Sequence, residues 1–186
     1  MLALTPQNDR PWRTPAEWWP RLASATDGVE PPYGVLAVEA LAANAFDMLE
    51  RAQGTPIRVA SKSVRVRGVL DAVLALPGFH GILAYTLPEA LWLAETHDDV
   101  VVGYPTADRA AIARLGADET LASRVTLMVD SLEHLDYIDA VVAPAKRATI
   151  RVCLELDASY RAPVLGHVGV RRSPVHEAAD AEALAA

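Results

Sequence analysis

From Pro32 onward, short apolar runs alternate with longer stretches in which apolar residues recur every three or four positions. Tyr33–Val38 is apolar and strand-like, and Leu41–Ala52 has helical spacing that Gly54-Thr55-Pro56 breaks. Ile57–Ala60 predicts a strand, followed by a helix over Val66–Leu76 that Pro77-Gly78 ends. The same alternation continues with a strand at Ile82–Tyr85 and a helix at Leu87–Glu95, then a strand at Val100–Gly103 and a helix at Ala107–Leu115 ended by Gly116. Val125–Val129 and Leu132–Val142 form the next pair, Thr149–Leu156 is the last strand, and Val175–Ala186 reads as helix. Thr86-Leu87-Pro88-Glu89 and Asp130-Ser131-Leu132-Glu133 carry cap spacings that support two of the helix starts.

Strands of four to six residues alternating with helices of about ten residues predict βαβ units and a parallel sheet, hence an α/β fold. A complete (β/α)8 TIM barrel takes roughly 250 residues, and this chain has 186. The expectation is therefore a TIM-barrel-like parallel sheet that is incomplete, the N-terminal part of a barrel and a fragment of something longer. A flavodoxin-like open sheet is the alternative architecture. Residues 1–31 differ in character: they hold Trp12, Trp18 and Trp19, three of the four tryptophans. Thr14-Pro15-Ala16-Glu17 is a helix start, with Thr14 as cap and Glu17 completing a capping box. We read 1–31 as an extension whose short helix docks its aromatic side on the body, in preference to a partner surface, and 32–186 as the barrel domain.

Composition narrows the partners. The chain carries 17 Lys and Arg against 24 Asp and Glu, a net charge of −7, which disfavours nonspecific nucleic-acid binding. No apolar run reaches transmembrane length, and Met1–Arg13 lacks the basic start and apolar stretch of a secretory signal. Cys153 is the single cysteine, so neither a disulfide framework nor a zinc–cysteine cluster is available. These features describe a soluble, cytoplasmic protein with no nucleic-acid or membrane partner.

In either architecture the ligand sits at the carboxyl ends of the strands. Those ends carry Lys62, Tyr85, Tyr104, Asp130 and Asp157. Strand exits are also where helix caps belong, so Asp130 reads first as a cap and Tyr104 as packing. In the last strand Arg151, Cys153, Glu155 and Asp157 share the face that would point into a barrel, and Val152, Leu154 and Leu156 share the face that would pack under helices. Cys153 is read there as a core filler. Lys62 is the most informative residue. At a barrel exit, burial and the nearby Arg58, Arg65 and Arg67 would favour the neutral amine that forms a Schiff base. The same basic cluster could instead bind a phosphate or solvate a helix start, and the residues alone leave these readings open. Asp157–Pro174 is long for a connection and carries Arg161, His167, Arg171 and Arg172. His80, His97, His134 and His176 show no metal-ligand spacing.

The segment Ile57–Gly68, IRVASKSVRVRG, resembles the pyridoxal-phosphate lysine segment of the alanine racemase N-terminal barrel superfamily, the fold type III enzymes. Gly81–Glu95, Val102–Arg109, Val125–Asp130, Val152–Asp157 and His167–Pro174 follow in matching order, closest to the amino acid deaminase/aldolase branch and D-threonine aldolase-like proteins. The resemblance implies that Lys62 is the Schiff-base lysine at the end of the first barrel strand, and that Tyr33–Val38 is a leading strand ahead of the barrel. It implies pyridoxal 5′-phosphate as cofactor, with Tyr85, His167 and Arg172 beside its ring. Many relatives have an Arg-x-Gly-Val segment after the fifth strand. Matching Gly169-Val170 to it puts His167 at the arginine's place, with Arg171 or Arg172 as substitutes.

The phosphate site of that family lies in later barrel strands, and its racemase base and the aldolase's divalent cation belong to a C-terminal region this chain lacks. The function implied is a lyase, a D-hydroxyamino-acid aldolase or deaminase acting on a small amino-acid substrate, with a homodimer as its assembly. An amino-acid racemase, a non-catalytic pyridoxal-phosphate-binding protein and an inactive fragment are the alternatives.

Overall fold

A computed structural model describes residues 2–186. The chain divides into two compact units, one of Met1–Ile57 and Val66–His80, the other of Arg58–Arg65 and Gly81–Ala186.

The first unit is helical. A single turn at Pro11–Arg13 leads into α1 (Pro15–Ala25), followed by α2 (Val38–Ala52) and α3 (Arg67–Leu74). Helix α2 buries Ala42, Ala43 and Ala45, and α3 buries Val69, Leu70, Ala72 and Val73. Two expectations are corrected here. Tyr33–Val38 forms no strand: residues 33–37 are irregular, and Val38 opens α2. Tyr33, Val35 and Leu36 stay exposed; with no ladder beside them their apolar character yields no strand. The aromatic face of α1 is not docked either, because α1 buries no residue and Trp19 is 64% exposed. Trp12 and Trp18 instead pack edge to face on each other, 6.4 Å apart. Thr14 makes no side-chain cap bond; its carbonyl accepts from Glu17 and Trp18.

The sheet has five strands: β1 (Ile57–Ala60), β2 (Phe79–Ala84), β3 (Val100–Val102), β4 (Val125–Val129) and β5 (Arg151–Leu154), in the order β1-β2-β3-β4-β5. The pairings resolved from β2 to β5 are parallel, with Ala84 opposite Val102, Val100 opposite Val125 and Val129 opposite Leu154. This order decides the architecture. A flavodoxin-like sheet would place β2 outside β1, in the order 2-1-3-4-5. Strictly sequential neighbours are those of a (β/α)8 barrel, of which five strands are present here.

Within the second unit, α4 (Leu87–Leu93), α5 (Arg109–Gly116), α6 (Glu119–Arg124) and α7 (Leu132–Val141) connect the strands. Leu87, Ala90, Leu91 and Ala94 lie at helical spacing and are fully buried, as are Ile112 and Leu115 of α5. Strand β4 is buried at Val125, Thr126, Leu127 and Val129, so it is covered on both faces, as a central parallel strand must be. On β5 the expected packing of the apolar face fails: Val152 and Leu156 are about half exposed, because β5 is an edge strand. Cys153 is half-buried there.

Helix starts follow the cap chemistry. The Thr86 side chain accepts from the backbone N–H of Glu89, that of Asp108 from Ala111, and that of Ser131 from His134. Ser131, not Asp130, is therefore the cap of α7. Helix α6 is unanticipated; Asp118 caps it by accepting from Thr120 and Leu121. Gly116 ends α5 as its last helical residue.

After β5, an antiparallel hairpin of β6 (Tyr160–Ala162) and β7 (Gly166–Val168) precedes α8 (Ala178–Ala185). At the start of α8 the Asp180 carboxylate accepts from the backbone N–H of His176 at 2.9 Å and of Glu177 at 3.1 Å. These bonds hold its pKa below the usual carboxylate value. A carboxylate with a depressed folded-state pKa contributes stability above its unfolded value, and that contribution is lost as pH falls through the folded one. Acid unfolding of Asp180→Asn should accordingly lose part of its pH dependence below pH 3.8. An unchanged acid limb in a circular-dichroism titration would count against this role.

Candidate active site

The carboxyl ends of the strands meet in a cluster that lies wholly within the second unit. Strand β1 runs into the turn Ser61–Ser63, where Ser61 is fully buried and donates to the Leu83 carbonyl at 3.3 Å. This anchor sets the next residue, Lys62, at the rim with its side chain exposed. Lys62 Nζ donates to the Tyr104 hydroxyl at 3.0 Å and lies 5.8 and 5.4 Å from the ring centres of Tyr85 and Tyr104. The two rings meet edge to face, 5.5 Å apart at 89°. Tyr85 follows β2 and Tyr104 follows β3, so three successive strand exits supply the cluster.

Arg172 completes it from the segment after β7. Its guanidinium carbon lies 4.5 Å from the Tyr104 ring centre, and its Nη2 donates to the Gly103 carbonyl at 2.8 Å and pairs with the Glu155 carboxylate. Glu155 follows β5 and is buried. An arginine held at two points over a ring keeps one orientation, which a lysine could not reproduce. The Lys62 hydrogen bond and charge, with a smaller contribution from Arg172, hold the Tyr104 hydroxyl pKa below its ordinary value of 10.0.

Two cavities border this group. One of about 290 Å³ is lined by Tyr85, Leu87, Val102, Tyr104 and Asp108. The other, of about 430 Å³, is lined by Glu155, Asp157, Ser159, Tyr160 and Arg172. Asp157 is buried, and the Ser159 hydroxyl and backbone N–H lower its pKa.

Of the residues singled out from sequence, the structure brings Lys62, Tyr85 and Arg172 into one cluster. His167 stands outside it. It lies in β7 opposite Arg161, its Nε2 is 3.2 Å from the Gly169 carbonyl, and among the described residues it has no hydrogen bond or ring contact with that cluster. The position matched to the family arginine is thus turned into its own hairpin, and Arg172 is the cation that reaches the rim. The premise that burial favours a neutral Lys62 is also corrected. Lys62 is exposed, Arg58 is paired with Asp99 at 2.8 Å, and Arg65 donates to the carbonyl of Lys62 at 3.1 Å. Asp130 lines a separate cavity with Ser131, Val175 and Leu184. Sequence reading missed Tyr104 as the partner of Lys62 and Glu155 as the anchor of Arg172. The signal for each was present, a strand-exit position and a place on the inward face of β5.

Among the described residues no group of three or more His, Cys, Asp or Glu could hold a metal ion, and no helix is long and apolar enough to cross a membrane. No protein-family model matches the chain, and no curated protein matches it in sequence. Among solved structures, a D-threonine aldolase from Filomicrobium marinum is similar with a TM-score of 0.64 and 21% identity. The match covers 84% of this chain and 40% of that one. The likeness is one of fold, and it bears out the expected TIM-barrel-like parallel sheet.

Proposed function

We propose that this chain forms the lysine-bearing part of a pyridoxal-phosphate-dependent enzyme acting on amino acids, of the D-hydroxyamino-acid aldolase or deaminase type. One observation carries the reading: an accessible lysine amine at the carboxyl end of β1, set against two tyrosine rings, with an arginine fixed over one of them. The similarity of fold to a D-threonine aldolase supports it.

The residues fit the cofactor. Lys62 has an exposed Nζ for covalent attachment, Tyr85 offers an aromatic wall half open to solvent, and Arg172 offers a cation whose charge Glu155 balances. When bound, the cofactor supplies the electron sink for a carbanion at the substrate α-carbon. The chain's own contribution is placement. Ser61 anchors the turn that carries Lys62, and the rings of Tyr85 and Tyr104 flank the amine on one side. Glu155 and the Gly103 carbonyl hold Arg172 so that it cannot swing away from Tyr104.

The test is borohydride reduction of the chain incubated with pyridoxal 5′-phosphate, followed by peptide mass mapping. The chain has two lysines, Lys62 and Lys146. Label on the Lys62 peptide, lost completely in Lys62→Ala, is the expected result. Label confined to Lys146, or none on either, would overturn the proposal.

A further inference from the structure

Tyr104 is held more firmly than packing requires. Its ring packs edge to face with Tyr85, the Arg172 guanidinium lies over it, and its hydroxyl receives the hydrogen bond of Lys62 at 3.0 Å. The charged groups that face it are Lys62 from beyond β1, Arg172 from beyond β7 and Glu155 from beyond β5, and Tyr85 adds its ring and hydroxyl. Arg172 is fixed in turn by Glu155 and the Gly103 carbonyl, so the phenol oxygen has one place to stand, beside Nζ.

We propose that Tyr104 is the acid–base partner of Lys62, passing a proton between Nζ and the oxygen of a carbonyl compound that condenses with the amine. The proposal deepens the pyridoxal-phosphate reading and rests on it in one respect, that Lys62 is the reacting amine. The chemistry balances without a further reagent. Neutral Nζ attacks the carbonyl carbon and a C–N bond forms. The carbonyl oxygen departs as water, carrying away both hydrogens of the amine. Tyr104 gives its hydroxyl hydrogen to that oxygen as it takes one from nitrogen, and so ends unchanged. In the reverse direction it returns the hydrogen. The shared hydrogen bond and the neighbouring cations stabilise the phenolate, which suits a group that must give up and regain a proton.

Pyridine-4-carbaldehyde, trapped with borohydride and mapped by mass, reports on the amine alone and needs no cofactor site. Lys62 should be labelled faster than Lys146. Tyr104→Phe keeps the ring and both its stacking contacts. It should slow labelling of Lys62 by about a hundredfold and leave Lys146 unchanged. The rate at Lys62 should fall as the phenol ionises, this limb lying below the ordinary tyrosine value of 10.0. That limb should vanish in Tyr104→Phe. An absorbance titration of the tyrosines should show one phenol ionising early, absent in Tyr104→Phe and returned towards the ordinary value in Lys62→Met. Equal rates and identical pH profiles for Lys62 with and without the hydroxyl would overturn the proposal, as would a Lys62 no more reactive than Lys146. Failure of pyridoxal 5′-phosphate itself to label Lys62, with the hydroxyl effect on the small aldehyde intact, would count against the proposed function alone.

Discussion

Leu127→Ala is expected to destabilise the protein by about 3 to 4 kcal/mol. Leu127 sits in the middle of β4, fully buried, with β3 on one side and Val152 of β5 opposite it on the other. Truncation removes the transfer free energy of its lost carbons and leaves a cavity that neighbours cannot fill. Val125 and Val129 are fixed on the same strand, and both are themselves fully buried. Domains of this kind are stable by only about 5–15 kcal/mol, so the loss is a large fraction of the whole. Urea unfolding followed by circular dichroism measures it. A change of less than about 1 kcal/mol, below the range for buried leucine truncation, would mean that β4 is not the centre of the core.

Gly81→Ala is expected to cost about 2 kcal/mol, from two sources. Gly81 has φ +73°, a left-handed conformation that an L side chain adopts only with strain. An added Cβ would also run into the Arg58 guanidinium and the Asp99 carboxylate, which pair at 2.8 Å with side chains 34% and 23% exposed. The methyl group therefore displaces a partly exposed ion pair, whose loss adds at most about 1 kcal/mol. The two sources separate in a double substitution. Arg58→Ala removes the obstacle, so adding Gly81→Ala to it should cost only the backbone strain, about 1–2 kcal/mol. Full additivity of the two single changes would show that the pair is not what Gly81 protects.

The alternation of apolar runs and helical spacings was enough to locate β1 to β5 and most of the connecting helices, because the strands are short, mostly apolar runs and the connecting helices carry apolar faces. It could not distinguish the open sheet from the barrel. That distinction is which strand neighbours which, and the pattern says nothing of neighbours. Tyr33–Val38 misled because apolar residues do not make a strand without a ladder to join. The hairpin of β6 and β7 was hidden for the opposite reason: its strands are three residues long and mostly exposed, so they carry little period. Helix α6 was hidden because Gly116 reads as a stop, while the cap that restarts the helix is Asp118, two residues on. At the site, Lys62, Tyr85 and Tyr104 were legible as strand exits. That Tyr104 bonds Lys62, and that Arg172 rather than His167 reaches it, depends on where a long segment returns to the sheet. No local pattern encodes that return.

The sequential strand order also fixes how the chain can assemble in time. Val100 pairs with Val125 and Thr126 with Arg151, so each resolved ladder closes a loop of similar and modest length, whose entropic cost grows only slowly with the residues enclosed. In a 2-1-3-4-5 sheet, β3 would have to seat itself beside β1, with β2 already made and set on the other side. Here every new strand meets the free edge left by the one synthesised just before it. A ribosome releasing about 5–20 residues per second would deliver each strand to an edge already waiting for it, and the order of folding can follow the order of synthesis.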